Sequence, residues 1–303
     1  GLGASAVNAD VQSGDNGDIA LWVDTGSDCK SLARFGDDVS FPVSCLVFDP
    51  GDSRSSSVGH VSWSPDGTEV LFTLGEADGS LWRVPSDGSG EPEEVLINGT
   101  DSVSSAWNHD WATDDIVWFN NYDGQAYNLN RLDLSTGAVT TFTNDCSQTP
   151  NVSPDGLYIV ATDAYNDGSE PPTHVCVYEV VDDAADLTLL HELELSDASA
   201  MHTSWTTDGT VMFVQQGFGV LEWDPEQAEP TVLFQNASVK FPMMSPDGEK
   251  VSYFKSNKLY IADADFTNEV AQFVEGAANW TGGVAKWQTI TPPPPPTMTT
   301  APT

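Results

Sequence analysis

A four-residue turn written three times in register constrains this chain more than anything else in it. Ser64-Pro65-Asp66-Gly67, Ser153-Pro154-Asp155-Gly156 and Ser245-Pro246-Asp247-Gly248 are identical copies, and self-similarity at a fixed period marks a repeat architecture. Degenerate copies lie between them. Trp205-Thr206-Thr207-Asp208-Gly209 keeps the frame, and Trp111-Ala112-Thr113-Asp114-Asp115 keeps it with Asp in place of Gly. The residue before each turn serves as a marker: Trp63, Trp111, Val152, Trp205, Met244 and, near the end, Trp287. Successive markers stand 48, 41, 53, 39 and 43 residues apart, in or near the range of a propeller blade and longer than most helical repeats. Pro presets φ at the second position of a type I turn, Asp bonds its own backbone, and Gly accepts a positive φ before the next strand. Each copy therefore reverses the chain between two strands.

The segments after these turns are β-branched and aromatic: Val70-Leu71-Phe72-Thr73, Ile116-Val117-Trp118-Phe119, Tyr158-Ile159-Val160-Ala161, Val211-Met212-Phe213-Val214 and Val251-Ser252-Tyr253-Phe254. A second strand follows each, and an outer strand closes the unit, as in Glu94-Val95-Leu96-Ile97 and Thr231-Val232-Leu233-Phe234. Four strands per repeat with no helical periodicity predict an all-β propeller. With Trp before the turn and an aromatic strand after it, the repeat resembles the WD40-like propeller repeat of the TolB type over roughly residues 57–288. The resemblance implies the fold and little about function, because such repeats serve periplasmic scaffolds, cell-surface proteins and the non-catalytic halves of peptidases.

Five complete units run from about residue 58 to 276. Residues 283–287 supply an inner strand with nothing after it, whereas residues 19–23, 31–35 and 45–48 supply three strands with no marker before them. Together these predict a sixth blade, in a six-bladed propeller closed by N- and C-terminal strands in a 1+3 arrangement, which removes exposed sheet edges. The propeller is expected to occupy residues 1–290. Residues 291–303 form a Pro/Thr-rich tail whose five consecutive prolines impose polyproline II. Thr297, Thr299, Thr300 and Thr303 there are candidate O-glycosylation positions on a stalk or spacer.

Charge narrows the partners. With 46 Asp and Glu against 10 Lys and Arg, the net charge is -36, which repels nucleic acid and anionic lipid surfaces. The acidity suits a solvated surface at high ionic strength. No apolar run is long enough to span a membrane. The chain begins at Gly1 without a leader, so any export signal is expected to have been removed. Cys29, Cys45, Cys146 and Cys176 lack CxxC spacing, which favours disulfides over zinc or redox chemistry. Of three connectivities, Cys29 with Cys45 and Cys146 with Cys176 stay within or beside one repeat; four buried thiols are the alternative. Asn98, Asn236 and Asn279 head N-x-S/T sequons, and Asn151 heads another that Pro154 follows. These features place the chain outside the cell or on its surface.

No nucleophile elbow occurs; Gly51-Asp52-Ser53-Arg54-Ser55 misses it at the last position. His60 and His202 each stand three residues before a marker Trp. The equivalent residues are Asn108, Thr149, Phe241 and Val284, and all six are expected near the axis at one mouth, as a pocket for a small polar ligand. Alternatively each His is satisfied within its own blade. Opposed residues across a channel stand too far apart to share one metal, and no third ligand is evident. Asp163-Ala164-Tyr165-Asn166-Asp167-Gly168-Ser169-Glu170 has oxygen ligands for calcium but lacks the twelve-residue calcium pattern. Aromatics at Tyr122 and from Trp107 to Trp111 offer surfaces for a sugar or belong to the core. The leading expectation is a non-enzymatic secreted or surface scaffold, self-assembling or binding proteins through its face or tail. A glycan- or peptide-binding module using the mouth is the alternative, and an unrecognised enzyme built on propeller loops is the third reading.

Overall fold

In a computed structural model of the chain, the described residues are 17–24, 30–35, 42–47, 58–74, 79–103, 106–163, 173–180, 187–195, 199–256, 258–271 and 286–288. Every regular element among them is a β-strand. The repeated turns work largely through their first residue. Ser153 Oγ donates to Asp155 Oδ1 (2.6 Å) and accepts from Tyr158 N (2.9 Å), while Leu157 N donates to the same carboxylate oxygen (3.0 Å). The Ser64 and Ser245 turns repeat these bonds, and Thr206 substitutes its hydroxyl in the degenerate copy. One hydroxyl therefore joins the turn to the strand beyond it. The Ser64 hydroxyl, then the Thr68 N–H, hold the Asp66 carboxyl below the ordinary carboxylate range.

Five antiparallel four-stranded sheets are continuous in sequence, and these are blades 1 to 5. Blade 1 is β4 (Val58–Trp63), β5 (Glu69–Leu74), β6 (Ser80–Pro85) and β7 (Glu93–Glu94). A small hairpin follows, β8 (Leu96–Ile97) with β9 (Asp101–Ser102). Blade 2 is β10 (Ala106–Thr113), β11 (Ile116–Tyr122), β12 (Tyr127–Asp133) and β13 (Ala138–Phe142), and blade 3 is β14 (Cys146–Val152), β15 (Tyr158–Asp163), β16 (His174–Glu179) and β17 (Thr188–Glu194). Blade 4 is β18 (Ala200–Trp205), β19 (Val211–Gln215), β20 (Gly219–Trp223) and β21 (Thr231–Phe234), and blade 5 is β22 (Val239–Met244), β23 (Lys250–Lys255), β24 (Lys258–Asp263) and β25 (Val270–Ala271). Against the expectation of six blades, the sixth assembled from N- and C-terminal strands, five blades are found, and a composite sheet stands beside them. It runs β26 (Lys286–Trp287), β1 (Ile19–Asp24), β2 (Lys30–Phe35), β3 (Pro42–Val47). There Ile19 pairs with Trp287 and Ala20 with Lys286. The strand expected over Glu94 to Ile97 is broken: only Glu93 and Glu94 pair with β6, and Leu96 and Ile97 turn away to pair with β9.

The larger core clusters lie between two sheets. Leu71 and Leu81 of blade 1 pack with Trp111, Val117 and Phe119 of blade 2, and Val160 and Val177 of blade 3 with Trp205, Phe213 and Trp223 of blade 4. Ala20 and Leu32 of the composite sheet pack on Trp63 and Phe72 of blade 1. Central strands are thus covered on both faces, and their sequences read as apolar runs instead of alternating. Two marker tryptophans also stitch sheets together through the indole N–H, Trp63 Nε1 to Lys286 O (2.9 Å) and Trp205 Nε1 to Asn151 O (3.0 Å).

Candidate functional site

All five described inner strands that precede a turn break register at a pair that includes the residue three before the marker. In β4, β10, β14, β18 and β22 the ladder skips residues 59–60, 107–108, 149–150, 202–203 and 241–242. Two unpaired residues form a bulge, which re-aims a side chain that regular alternation would direct between blades. Thr149, His202 and Phe241 reach this geometry with φ of 48°, 53° and 51°, a left-handed conformation uncommon for residues other than glycine.

The bulges meet at one cavity. His60, Asn108, Thr149, His202 and Phe241, the residues expected at the mouth, all line it; Val284 lies outside the described residues. The volume open to a water's centre is about 20 Å³, room for roughly one water or a small ion. The His202 ring lies on Phe241 with centroids 3.7 Å apart, and His60 meets Phe241 edge-on at 6.1 Å.

Beneath this layer lie residues that motif reading missed. Lys286 Nζ donates to Asp110 Oδ1 (3.0 Å) and to Asn151 Oδ1 (2.7 Å), so a side chain on β26 reaches blades 2 and 3. Both partners of the ion pair are largely buried, and Asp110 Oδ2 accepts from Val152 N (2.8 Å). Asn151 Nδ2 donates to Thr203 O (2.7 Å) and Thr149 O (3.1 Å). These commitments make its sequon an interior feature. His109, also on the lining, is fully enclosed: its Nε2 lies 3.1 Å from His60 O and its Nδ1 2.9 Å from Ser62 Oγ. A carbonyl only accepts, so Nε2 carries the proton and Ser62 donates to Nδ1. The signal for this layer was a Lys next to a marker Trp in a chain with few cations.

Electrostatics keep the three imidazoles neutral. Burial holds His60 well below its ordinary value, and His109, His202 and Lys286 add to the effect. Burial brings His109 down to about 3, against its bond to the His60 carbonyl and with help from Lys286. His202 falls to about 3 through burial and then Lys240. The alternative of a histidine satisfied within its own blade does not hold for His202, whose Nδ1 is buried without a partner. Among the described residues no group of three His, Cys, Asp or Glu is placed to hold a metal.

The remaining sequence expectations fall elsewhere. Cys146 and Cys176 form a disulfide with Cα atoms 6.0 Å apart; Cys29 lies outside the described residues, as does the side chain of Cys45. Asn98 is exposed in a turn, and Asn236 is half-buried with its Oδ1 accepting from Ser238 Oγ (2.8 Å). Asn279, Thr297, Thr299, Thr300, Thr303 and the whole tail lie outside the described residues. Of the candidate calcium loop only Asp163 is described, and its carboxylate is bonded to His174 N (2.9 Å) and Nδ1 (3.2 Å). Tyr122 is exposed with its ring 5.0 Å from Tyr127, whereas Trp111 belongs to the core.

No protein-family model and no curated protein matches this sequence. Its structure is similar to that of TolB from Acinetobacter baumannii, with 17% identity and a TM-score of 0.66 over 90% of this chain and 66% of that one. The chain thus spans about two thirds of that TolB. A chain of a nidogen/laminin complex matches with 11% identity and a TM-score of 0.64, over 90% of this chain and 99% of that one. The periplasmic gluconolactonase PpgL of Pseudomonas aeruginosa matches with 13% identity and a TM-score of 0.55, over 91% and 100%. At these identities the likeness is one of fold: an all-β, TolB-like propeller.

Proposed function

We propose that this chain is a non-enzymatic, extracytoplasmic propeller that acts as a binding scaffold, presenting its axial mouth to a protein partner. One observation carries the reading: five strands of different sequence break register around the residue three before the marker and bring that residue to a common cavity. The proposal takes the composite sheet as a sixth blade and the pairing of β26 with β1 as a 1+3 closure. The contacts of β26 with both β22 and β4 support it. The non-enzymatic reading rests on two observations: both Asp110 oxygens are held by protein donors, and the Ser62 hydroxyl that bonds the His109 imidazole is fully buried along with it. Export is supported by the Cys146–Cys176 disulfide, and glycosylation by the exposed sequon at Asn98. The Pro/Thr-rich residues 291–303 serve as a spacer or assembly arm in this proposal.

The volume decides between partners. A space for about one water admits the tip of a side chain but not a sugar ring, so a peptide or protein is favoured over a glycan. The test is a peptide and glycan array probed with the full chain and with His60→Ala, Asn108→Ala and His202→Ala combined. Peptide signals lost in the triple variant support the proposal. Unchanged signals, or none from the unaltered chain, overturn it.

A further inference from the structure

We propose that Lys286 and Asn151 form an isopeptide bond within the chain, with Asp110 as the general base, and that this bond joins β26 to blade 3 across the axis. The reaction runs once, on the chain itself, and needs no outside substrate. It goes beyond the binding role of the mouth and stands or falls separately from it.

Repeat position brings the three groups together. The residue before each marker is Ser62, Asp110, Asn151, Ser204, Met243 or Lys286. Ser62 and Ser204 commit their hydroxyls to His109 and to Pro242 O. The other polar members meet: Lys286 Nζ lies 2.7 Å from Asn151 Oδ1 and 3.0 Å from Asp110 Oδ1, and the Lys286 and Asp110 side chains are 11% and 14% exposed. An amine nucleophile, a carboxamide and a carboxylate thus share one site with little solvent. The orientation of the amide is settled, because Asn151 Nδ2 donates to Thr203 O (2.7 Å) and Thr149 O (3.1 Å), which only accept. Oδ1 therefore faces the amine. With a C=O bond of about 1.23 Å, a donor this close to Oδ1 stands about 3.5 Å from Cγ, the separation of a near-attack contact. The flexible lysine stem lets Nζ swing from the oxygen onto the face of the amide. Neighbours held in this way react at an effective concentration of about 10⁵–10⁸ M.

Asp110 Oδ1 takes one proton from the ammonium along their hydrogen bond and leaves Nζ a lone pair. That pair forms the bond to Asn151 Cγ, the Cγ–Nδ2 bond breaks with its electrons, and a proton passes from Nζ to Nδ2, which leaves as ammonia. Asp110 then yields its proton to the ammonia, so each new amide releases one ammonium and restores the carboxylate. The cavity lined by Asn151, Thr203 and Lys286 has room for about one water, and ammonia is of that size, so the leaving group has a route towards the mouth. The product links residues 135 apart in sequence. It holds β26, and with it the sheet built from both ends of the chain, against the repulsion of 36 uncompensated negative charges.

Mass spectrometry of the full chain, made in a host that adds no sugar and then reduced, is the test. The intact mass is expected to fall short of the sequence by one ammonia. A tryptic digest is expected to contain one branched peptide that carries residues 151 and 286 and is uncut after Lys286. Lys286→Arg keeps the cation without the nucleophilic amine, and Asp110→Asn removes the base; both are expected to keep the full mass. Asn151→Asp is expected to lose one water in place of one ammonia and to give the same branch. The unaltered chain decides even where a variant fails to fold: a full mass, with trypsin cutting after Lys286, overturns the proposal. An ammonia deficit without the branched peptide also overturns it, since a succinimide at Asn98-Gly99 loses the same mass. A branch formed equally in folded Asp110→Asn overturns the role given to Asp110.

Discussion

The serine that opens each repeated turn does more than its neighbours. Proline and glycine shape the reversal, but the Ser153 hydroxyl closes it by bonding both Asp155 and the Tyr158 N–H. Ser153→Ala strands that N–H and leaves the carboxylate only the Leu157 N–H, and by analogy with lost helix caps it should cost about 1 kcal/mol. Urea unfolding measures it, and Pro154→Ala, which removes no hydrogen bond, should cost less. A second residue-scale consequence comes from the buried imidazoles. His109 stays neutral to about pH 3 when folded but takes up a proton near pH 6.5 when unfolded. A folded-state value below the unfolded one means that the unfolded chain binds more protons, so stability falls as pH drops through this window. The slope is about 1.4 kcal/mol per pH unit for each histidine held neutral. Unfolding between pH 7 and 4.5 in about 1 M salt, where charge repulsion is screened, should show this loss. His109→Gln should reduce the slope. The bonded turn carboxylates of Asp66 and Asp208 have values below the ordinary range, so they add nothing until lower pH.

Strands differ in how plainly the sequence announces them. Central strands such as β11 and β19 are covered on both faces, and their unbroken apolar runs are visible without a structure. Outer strands have one solvated face, and the shortest pair little; β7 and β25 are two residues each, and nothing local shows that the chain leaves the sheet at Val95. The mouth was legible because it could be counted from the marker. The bulges were not, since backbone pairing across strands decides them. Position likewise hid Asp110, Asn151 and Lys286, which stand one residue before their markers, and His109, which alternation sends between blades. The disulfide was legible from chain proximity, and it crosses the sheet by joining β14 to β16 past the intervening β15. It closes a loop with a sequence separation of 30, for which chain entropy gives about 3–4 kcal/mol. Replacing Cys146 and Cys176 together by Ala should lower the unfolding free energy by about that amount. Both sites are buried, so a cavity cost adds to it. Denaturant unfolding of the double variant is the check, and it leaves any bond of Cys29 and Cys45 untouched.

At the scale of the molecule, opposing demands fall on the three residues 286–288. A surface carrying -36 charges pushes the sheets apart wherever salt does not screen it, and the sheet built from both ends of the chain depends on few bonds. Gln288 N donates to Asp18 O (2.7 Å), its Oε1 accepts from Asp18 N (3.1 Å) and its Nε2 donates to Gly67 O (2.9 Å). Gly67, at φ 70°, sits directly against that side chain, so the first turn needs glycine for its backbone and for the contact. Trp287 pairs with Ile19, the Lys286 carbonyl receives Trp63, and the Lys286 ammonium compensates Asp110. A chain ended after residue 285 loses all of these at once, whereas Lys286→Met loses only the ammonium's bonds to Asp110 and Asn151, and rupture of such an ion pair costs about 3–5 kcal/mol in a buried site. If the composite sheet closes the disc, truncation must therefore destabilise more than Lys286→Met, and the excess must grow as salt is lowered from about 1 M to 0.1 M and the Debye length rises from about 3 to 10 Å. Paired thermal melts of both variants at the two salt concentrations, with solution scattering to follow the radius, measure this excess. Equal losses at both concentrations would mean that β26 contributes its lysine and nothing more, and that the disc stays shut by packing between blades.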